Sequence, residues 1–222
     1  TMVPRASFRN YAKELKKHVS IPVIVSNRIN MPETAEDLLE QGDGDLVSMA
    51  RPFLADPFWV QKAKNERADL INTCIACNQA CLDHIFENKI VSCLVNPLAC
   101  KESELAVETT TKVQKIAVVG AGPAGLACAV TLAQRGHTVT IHEERPYIGG
   151  QFYLAEKIPG KEEFAETLRY FLAMIKEHHI DLKLETKFEI SQSLGFDQVV
   201  WATRVLPSNL NLEGIQTDYV LN

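Results

Sequence analysis

The sequence predicts an α/β protein in which two modules with parallel β-sheets flank a cysteine-rich segment. Three observations lead to this fold class. Apolar strand patterns alternate with helical patterns over residues 1–68, and four cysteines recur at C-x2-C-x3-C-x11-C spacing. A G-x-G-x-x-G loop then lies between a strand pattern and a helix pattern. We therefore expect two α/β units joined through the cysteines.

The first module carries the alternation expected of βα units. A helical pattern at residues 7–18 precedes the apolar run IPVIVS at 21–26, and a second helical pattern ends at Gly42 before the run DLVSM at 45–49. Another helix is predicted from residue 56 to residue 67. Unbroken apolar strands are typical of parallel sheets that are covered on both faces. This region therefore predicts the βα repeat of a parallel sheet or barrel.

Both predicted strands of this module end in an arginine. Arg28 follows the first strand, and Arg51, preceded by Ala50, follows the second. The carboxyl ends of parallel strands carry the binding loops of barrel proteins, so the pair is a candidate anion site. A solvated surface position is the alternative for each arginine.

The cysteine segment contains the four candidate metal ligands Cys74, Cys77, Cys81 and Cys93. Thiolates are soft ligands, and four of them complete an iron–sulfur cluster or a tetrahedral zinc site. Zinc ribbons normally have two C-x2-C knuckles, whereas this segment has one, which favours the cluster. Disulfides are the third alternative, but they are typical of secreted proteins, and no secretory signal is evident.

The second module begins with the apolar run KIAVV at residues 115–119, which leads into a glycine loop and a helix. In such a loop the first glycine makes the turn, the second admits a pyrophosphate, and the third lets the helix pack on the strand. The loop residues concerned are Gly120, Gly122, Pro123, Ala124 and Gly125. Glu143 ends the next strand, at the distance expected of a ribose-binding acid, and its neighbour Glu144 is predicted to be a solvated carboxylate.

Charge and hydropathy exclude two classes of partner. A net charge of −5 provides no basic stripe for nucleic acid, and no apolar run has the length of a membrane span. We expect a soluble cytoplasmic protein that binds neither nucleic acid nor membrane. Its abrupt ends predict an internal segment of a longer chain. The predicted domains are residues 1–68, 69–111 and 112–222, and the charged, threonine-rich stretch at 101–114 marks the second boundary.

The run SNRINMPETAEDLLEQGDGDLVSMARPFLADPFWVQKA, followed by NTCIACNQACLD, resembles the bacterial 2,4-dienoyl-CoA reductases. These enzymes belong to the old-yellow-enzyme and trimethylamine dehydrogenase group, and the C-x3-C step fits them better than the amine dehydrogenases. The resemblance implies the C-terminal βα units of a TIM barrel, a 4Fe-4S segment, and the N-terminal part of a Rossmann-like FAD-binding domain.

The same resemblance implies FMN, FAD and a 4Fe-4S cluster, with NADPH as the electron donor. Arg28, Ala50 and Arg51 would contact FMN at its ring or its phosphate, and the four cysteines would hold the cluster. The motif GGQF places Gly150 and Gln151 near FAD rather than NAD. Electrons would pass from NADPH through FAD, the cluster and FMN to an unsaturated acyl-CoA of fatty acid β-oxidation.

The resemblance also defines what this chain does not carry. The tyrosine and histidine that protonate the substrate in the family lie upstream of Thr1, so no catalytic residue is assigned here. Arg204 stands where the family has a glycine in the motif A-T-G-x-x-P. The alternatives are another enoate reductase or an amine dehydrogenase of the same flavin group, or a non-catalytic four-cysteine zinc or electron-carrier module.

Overall fold

The computed structural model describes residues 3–203 and confirms a mixed α/β fold with parallel sheets. The amino-terminal module, residues 3–68, contains α1 (Arg9–Lys16), β1 (Ile24–Val25), α2 (Pro32–Glu40), β2 (Leu46–Val47), α3 (Arg51–Ala55) and α4 (Trp59–Lys64). β1 and β2 pair in parallel, as the βα pattern predicts. Both strands are shorter than predicted, because an apolar run indicates burial whereas a strand also needs a neighbour with which to form hydrogen bonds.

The helix predicted over residues 56–67 is wrong at its start. The helix at this position, α4, begins at Trp59, and the separate helix α3 ends at Ala55, immediately before Asp56. The Asp56 carboxylate accepts the backbone N–H of Phe58 at 3.0 Å and the ammonium of Lys62 at 2.6 Å. It also accepts the N–H of Asn72 at 2.9 Å. This buried acid therefore lies between the two helices, accepts the backbone N–H of the residue that precedes α4, and anchors the cysteine segment.

The cysteine segment, residues 69–111, is mostly irregular and contains the short helix α5 (Leu82–Phe86). Two asparagine side chains tie its ends to neighbouring backbone. Asn72 donates to the carbonyl of Val95 at 2.7 Å, and Asn96 donates to the carbonyl of Leu54 at 3.0 Å. These hydrogen bonds from side chains to backbone take the place of the strand pairing that a sheet would provide, so both ends of the cysteine segment are held in position.

The carboxy-terminal module, residues 112–203, is a four-stranded parallel sheet with helices packed on it. Its elements are β3 (Lys115–Val119), α6 (Pro123–Gln134), β4 (Thr138–His142), α7 (Gln151–Ala155), α8 (Ala165–Glu177), β5 (Asp181–Lys183) and β6 (Gln198–Trp201). The strand order is β5-β4-β3-β6, so the first strand in sequence lies at the centre. This is the order of a doubly wound dinucleotide-binding fold.

The core of this module lies between the sheet and helices α6 and α8. Val118 and Ile141 on the sheet meet Leu126 on α6 and Phe171 and Ile175 on α8. Burial of these side chains fixes α6 against β3 and so fixes the loop between them. None of the helices that the structure describes between residues 3 and 203 combines the length and the apolar character needed to cross a membrane.

A chain of alternating charges links the two modules. Arg28 pairs with Glu163 at 2.6 Å, and Glu163 pairs with Arg5 at 2.8 Å. Arg5 also pairs with Glu166 at 3.0 Å, and Glu166 pairs with Arg169 at 2.7 Å. The two glutamates belong to the carboxy-terminal module and lie more than a hundred residues from Arg5 and Arg28. We call these five side chains the arginine–glutamate chain.

The far end of the arginine–glutamate chain reaches the cysteine segment. Arg169 donates to the carbonyl of Ile71 at 2.7 Å and to the hydroxyl of Thr73 at 3.1 Å. Ile71 and Thr73 are buried and directly precede the first cysteine. The amino-terminal module, the cysteine segment and the carboxy-terminal module are therefore connected by one continuous series of contacts from charged side chains.

Ionisation of the two glutamates should make this contact dependent on pH. Burial opposes their charged form, but hydrogen bonds from Arg5 and Arg28 to Glu163, and from Arg169 and Arg5 to Glu166, outweigh it and hold both pKa values below the usual 4.5. Groups with a depressed folded pKa stabilise the fold above the unfolded pKa. That stabilisation is lost as the pH falls through the folded pKa.

We therefore expect the unfolding temperature to fall more steeply below about pH 4.5 in the natural protein than in the Glu163→Gln/Glu166→Gln double variant. The double variant cannot titrate at these positions, whereas all other carboxylates remain as an internal control. Thermal unfolding followed across this pH range measures the difference. Parallel curves for the two proteins would mean that the glutamates contribute no pH-dependent stability.

Candidate functional site

The ends of β1 and β2 open onto one cavity of about 200 Å³. We call it the strand-end cavity. Its lining comprises Ser26, Asn27, Arg28, Ile29, Asn30, Ser48, Met49, Ala50, Arg51, Pro52 and Cys74. Three of the predicted site residues, Arg28, Ala50 and Arg51, therefore lie around the same space. The parallel pairing of β1 and β2 causes this, because it brings the two following loops to one edge.

Arg28 is a buried cation rather than a solvated surface residue, with 8% of its surface exposed. Its Nε donates to the carbonyl of Val3 at 3.0 Å, and one terminal nitrogen donates to Glu163 at 2.6 Å. Asn27 and Arg28 both have left-handed backbone angles, with φ of 75° and 59°. This tight turn directs the chain away from the strand as soon as the strand ends.

Arg51 lies between two cavities. It lines the strand-end cavity and also a second, narrower one, which we call the cysteine cavity. Its guanidinium donates to the side-chain oxygen of Asn78, which lies between the second and third cysteines. Cys74 is likewise shared by both cavities. The two cavities are therefore neighbours with a common wall.

The cysteine cavity is lined by all four predicted ligands: Cys74, Cys77, Cys81 and Cys93. All four are free thiols. A backbone hydrogen bond from Ser92 to the carbonyl of Ala80 at 2.8 Å brings the fourth cysteine to the loop that carries the others. Within residues 3–203, no three side chains of His, Cys, Asp or Glu are grouped closely enough to hold a single metal ion. The four sulfurs share a cavity without converging on one point.

Burial is the main influence on the pKa values of Cys74, Cys77 and Cys93. It raises the pKa of Cys74 to about 11 and raises the pKa values of Cys77 and Cys93. Backbone N–H groups oppose the shift: those of Ala76 and Gln79 for Cys74 and Cys77, and those of Val95 and Asn96 for Cys93. The positive charge of Arg51 also lowers the pKa values of Cys74 and Cys77. The cavity therefore combines half-buried cysteines with backbone donors directed at three of their sulfurs.

The glycine loop between β3 and α6 has the close packing that its motif predicts. Gly120 has φ of 107°, and a Cβ there would lie 2.5 Å from the carbonyl oxygen of Ala202. A Cβ on Gly125 would lie 1.9 Å from the carbonyl oxygen of Gly120. Around Gly122, in contrast, a Cβ would meet nothing within 4 Å. The protein itself does not require a glycine at position 122, so the open space is suited to a ligand.

Other predicted residues gather around this loop. The Glu143 carboxylate accepts the N–H of Ala121 at 2.8 Å, while Glu144 is exposed. A Cβ on Gly150 would lie 3.4 Å from the Cα of Gly122, and Gln151 begins α7 beside it. Pro123 is the first residue of α6, followed by Ala124. The sheet therefore assembles the glycine loop, the acid and the GGQF turn at one edge.

Some sequence predictions fall elsewhere. Arg204 lies outside the described residues. Cys100 is exposed and Cys128 is half-buried in α6, and neither lines the cysteine cavity. Glu163 and Asn78, which contact the two arginines, were missed by sequence reasoning. Glu163 gave no signal, because a contact between residues 135 positions apart leaves no pattern in the sequence.

Substitutions at two glycines separate ligand binding from folding. Gly122→Ala should leave the unfolding temperature unchanged or slightly higher, because its φ of −73° suits alanine and such changes contribute about 0.4–1 kcal/mol. The methyl group should nevertheless block a bound dinucleotide. Gly125→Ala should destabilise the fold by about 1–3 kcal/mol through its clash. Thermal unfolding measures the stability of the two variants, and the nucleotide retained after gel filtration measures binding. Full retention of the nucleotide in Gly122→Ala would contradict a dinucleotide site at Gly122.

Two sequence-family models match separate parts of the chain. Residues 3–70 match the NADH:flavin oxidoreductase / NADH oxidase family. Residues 118–182 match the NAD(P)-binding Rossmann-like domain. The first match covers both strand ends of the strand-end cavity, and the second covers the glycine loop and Glu143. A flavin-oxidoreductase pattern and a nucleotide-binding pattern therefore occur on one chain.

Known proteins are similar to nearly the whole chain. A metal reductase of Desulforamulus reducens is 42% identical over 92% of this chain and 32% of its own length. An N,N-dimethylglycine/sarcosine dehydrogenase of Chromohalobacter salexigens is 35% identical over 90% of this chain and 30% of its own length. The structure of 2-naphthoyl-CoA reductase with 2-naphthoyl-CoA has a TM-score of 0.94 and 37% identity, over 98% of this chain and 34% of that one. The chain thus spans about a third of these relatives, across a flavin-oxidoreductase stretch followed by a NAD(P)-binding Rossmann-like stretch.

Proposed function

We propose that this chain is the part of a flavin-dependent oxidoreductase that connects its cofactors. The observation that carries the proposal is the wall shared by the two cavities, to which Arg51 and Cys74 both contribute. A flavin in one cavity and an iron–sulfur cluster in the other would be neighbours. The matches to the flavin-oxidoreductase family and the Rossmann-like domain support the same function.

FMN is the cofactor that the strand-end cavity suits. Arg28 and Arg51 provide fixed positive charge, which can bind a phosphate or stabilise the negative charge of a reduced flavin ring. Arg51 would contact the FMN from the wall shared with the cysteine cavity. The guanidinium of Arg28 is oriented by its hydrogen bond to Glu163. The small residue Ala50 leaves the backbone beside Arg51 accessible to the ligand.

A 4Fe-4S cluster suits the cysteine cavity better than zinc. Structural zinc sites of four cysteines normally use two C-x2-C knuckles, whereas this segment has one, formed by Cys74 and Cys77. A cluster has four irons, so each sulfur binds a different corner. The backbone N–H groups directed at Cys74, Cys77 and Cys93 are the kind of donor that sets a cluster's reduction potential.

FAD is our proposal for the glycine loop. The open space at Gly122 admits a pyrophosphate at the amino end of α6, and the Glu143 carboxylate lies where a ribose can be hydrogen-bonded. The GGQF turn approaches the same loop through Gly150, and its resemblance to the reductase motif favours FAD over NAD. NADPH would bind through the rest of the full-length protein.

With these cofactors bound, the protein would transfer electrons from NADPH through FAD and the cluster to FMN, and then to an unsaturated acyl-CoA. The similarity to 2-naphthoyl-CoA reductase supports an acyl-CoA substrate. The similarity to an N,N-dimethylglycine/sarcosine dehydrogenase favours a second candidate, oxidation of an amine in the same type of flavin site. We assign no substrate-contacting residue within this chain, which spans about a third of the length of these relatives.

Replacing one cysteine tests the cluster. Cys81→Ser should lose most of the iron, because a hydroxyl is a poor ligand for iron, while both flavins stay bound. Cys100→Ser is the matched control, since Cys100 is exposed and outside the cavity. Iron, sulfide and flavin content of the anaerobically purified full-length protein are the measurements. Full iron in Cys81→Ser, or zinc in the natural protein, would refute the cluster.

Replacing the acid tests the nucleotide site. Glu143→Ala should weaken FAD binding by about 1.5–3 kcal/mol through loss of a charge-assisted hydrogen bond, and FMN should be unaffected. Glu144→Ala is the neighbouring control. The two flavins are released from the full-length protein, separated and quantified. Equal losses of FAD and FMN in Glu143→Ala would show that Glu143 is not specific to the FAD ribose.

A further inference from the structure

Glu163, in the carboxy-terminal module, contacts two residues that line the strand-end cavity of the amino-terminal module. Its carboxylate accepts hydrogen bonds from Arg28 at 2.6 Å and from the amide of Asn30 at 3.3 Å, and both of these residues line the cavity. The same Asn30 amide donates to the carbonyl of Cys74 at 2.9 Å. Glu163 therefore lies behind the cavity wall, in contact with the residues that form it.

Arg28 depends on this contact for its orientation. A free arginine side chain samples many rotamers, and fixing one costs about 1.5–2 kcal/mol. The bond from Nε to Val3 holds one edge of the guanidinium, and Glu163 holds a terminal nitrogen. Because the Arg28 and Glu163 side chains are only 5% and 16% exposed, water offers little alternative partner for either.

Glu163 also limits the positive charge behind the cavity. The arginine–glutamate chain contains three arginines and two glutamates, so its net charge is +1. Neutralising Glu163 would raise that charge to +2. It would also leave Arg28 without a counter-ion at the cavity wall. An anionic group in the cavity would then be attracted more strongly, provided that the guanidinium keeps its place.

We propose that Glu163 is a positioning residue for Arg28 in the FMN site. It acts from the module that binds the dinucleotide, and it tunes both the orientation and the charge that FMN meets. This inference rests on the proposed function, because it requires FMN in the strand-end cavity. It makes the carboxy-terminal module a structural part of the flavin site in the amino-terminal one.

Two substitutions separate orientation from charge. In Glu163→Gln the amide oxygen still accepts from Arg28, so FMN affinity should stay within about threefold of the natural protein, while the midpoint potential of FMN moves to a more positive value. In Glu163→Ala both the acceptor and the charge are lost, and FMN affinity should fall about tenfold or more. Glu162→Gln is the matched control, because Glu162 is exposed and its side chain accepts the N–H of the nearby Gly160 at 2.9 Å.

The experiment uses the full-length protein and its three variants. FMN is removed and titrated back to obtain affinity, and the FMN potential is measured in the reloaded protein. Iron and FAD content serve as the check on folding. If both Glu163 variants match Glu162→Gln in affinity and potential, Glu163 only holds the modules together and the inference is wrong. If the natural protein binds no FMN, the proposed function fails and the inference fails with it.

Discussion

Pairing of buried charge across the module boundary is the constraint on which the rest of the structure depends. A buried guanidinium or carboxylate is costly unless it is paired, so Arg28 and Glu163 must meet once the modules fold. Arg169 extends the same line of contacts to the backbone that leads into Cys74. One set of ion pairs therefore contacts both the wall of the strand-end cavity and the backbone that leads into the cysteine cavity. A shift of either module would leave charge unpaired.

Different interactions stabilise the walls of the strand-end cavity and of the cysteine cavity. Parallel pairing of β1 and β2 gathers Arg28 and Arg51 at one edge, as in other parallel sheets. The cysteine loop has no such ladder and depends on side-chain contacts, from Asp56 and Asn96 at its ends and from Arg51 to Asn78 within it. A loop fixed in this way can keep its cysteines half-buried and still supply backbone donors to their sulfurs. Such a combination is suited to one-electron transfer centres.

The charges in this region also explain why the two halves of the protein are not independent. Glu163 and Glu166 are ionised because arginines of both modules outweigh their burial. The wall of the strand-end cavity in one module is therefore partly held in place by the other. Cofactor binding and module contact should respond to the same substitutions. This provides a physical basis for coupling without any change of fold.

The sequence by itself determined the parallel α/β class, the glycine loop followed by Glu143, and the spacing of the four cysteines, because these depend on local periodicity and spacing. It began the predicted helix at Asp56, three residues before α4 begins, because the buried Asp56 carboxylate is held by distant partners such as Asn72 that local spacing does not reveal. Only the tertiary structure decided that the strand-end and cysteine cavities share Arg51 and Cys74. Only it revealed Glu163 behind Arg28, because pairing between distant charges is set by packing and leaves no periodic trace in the chain.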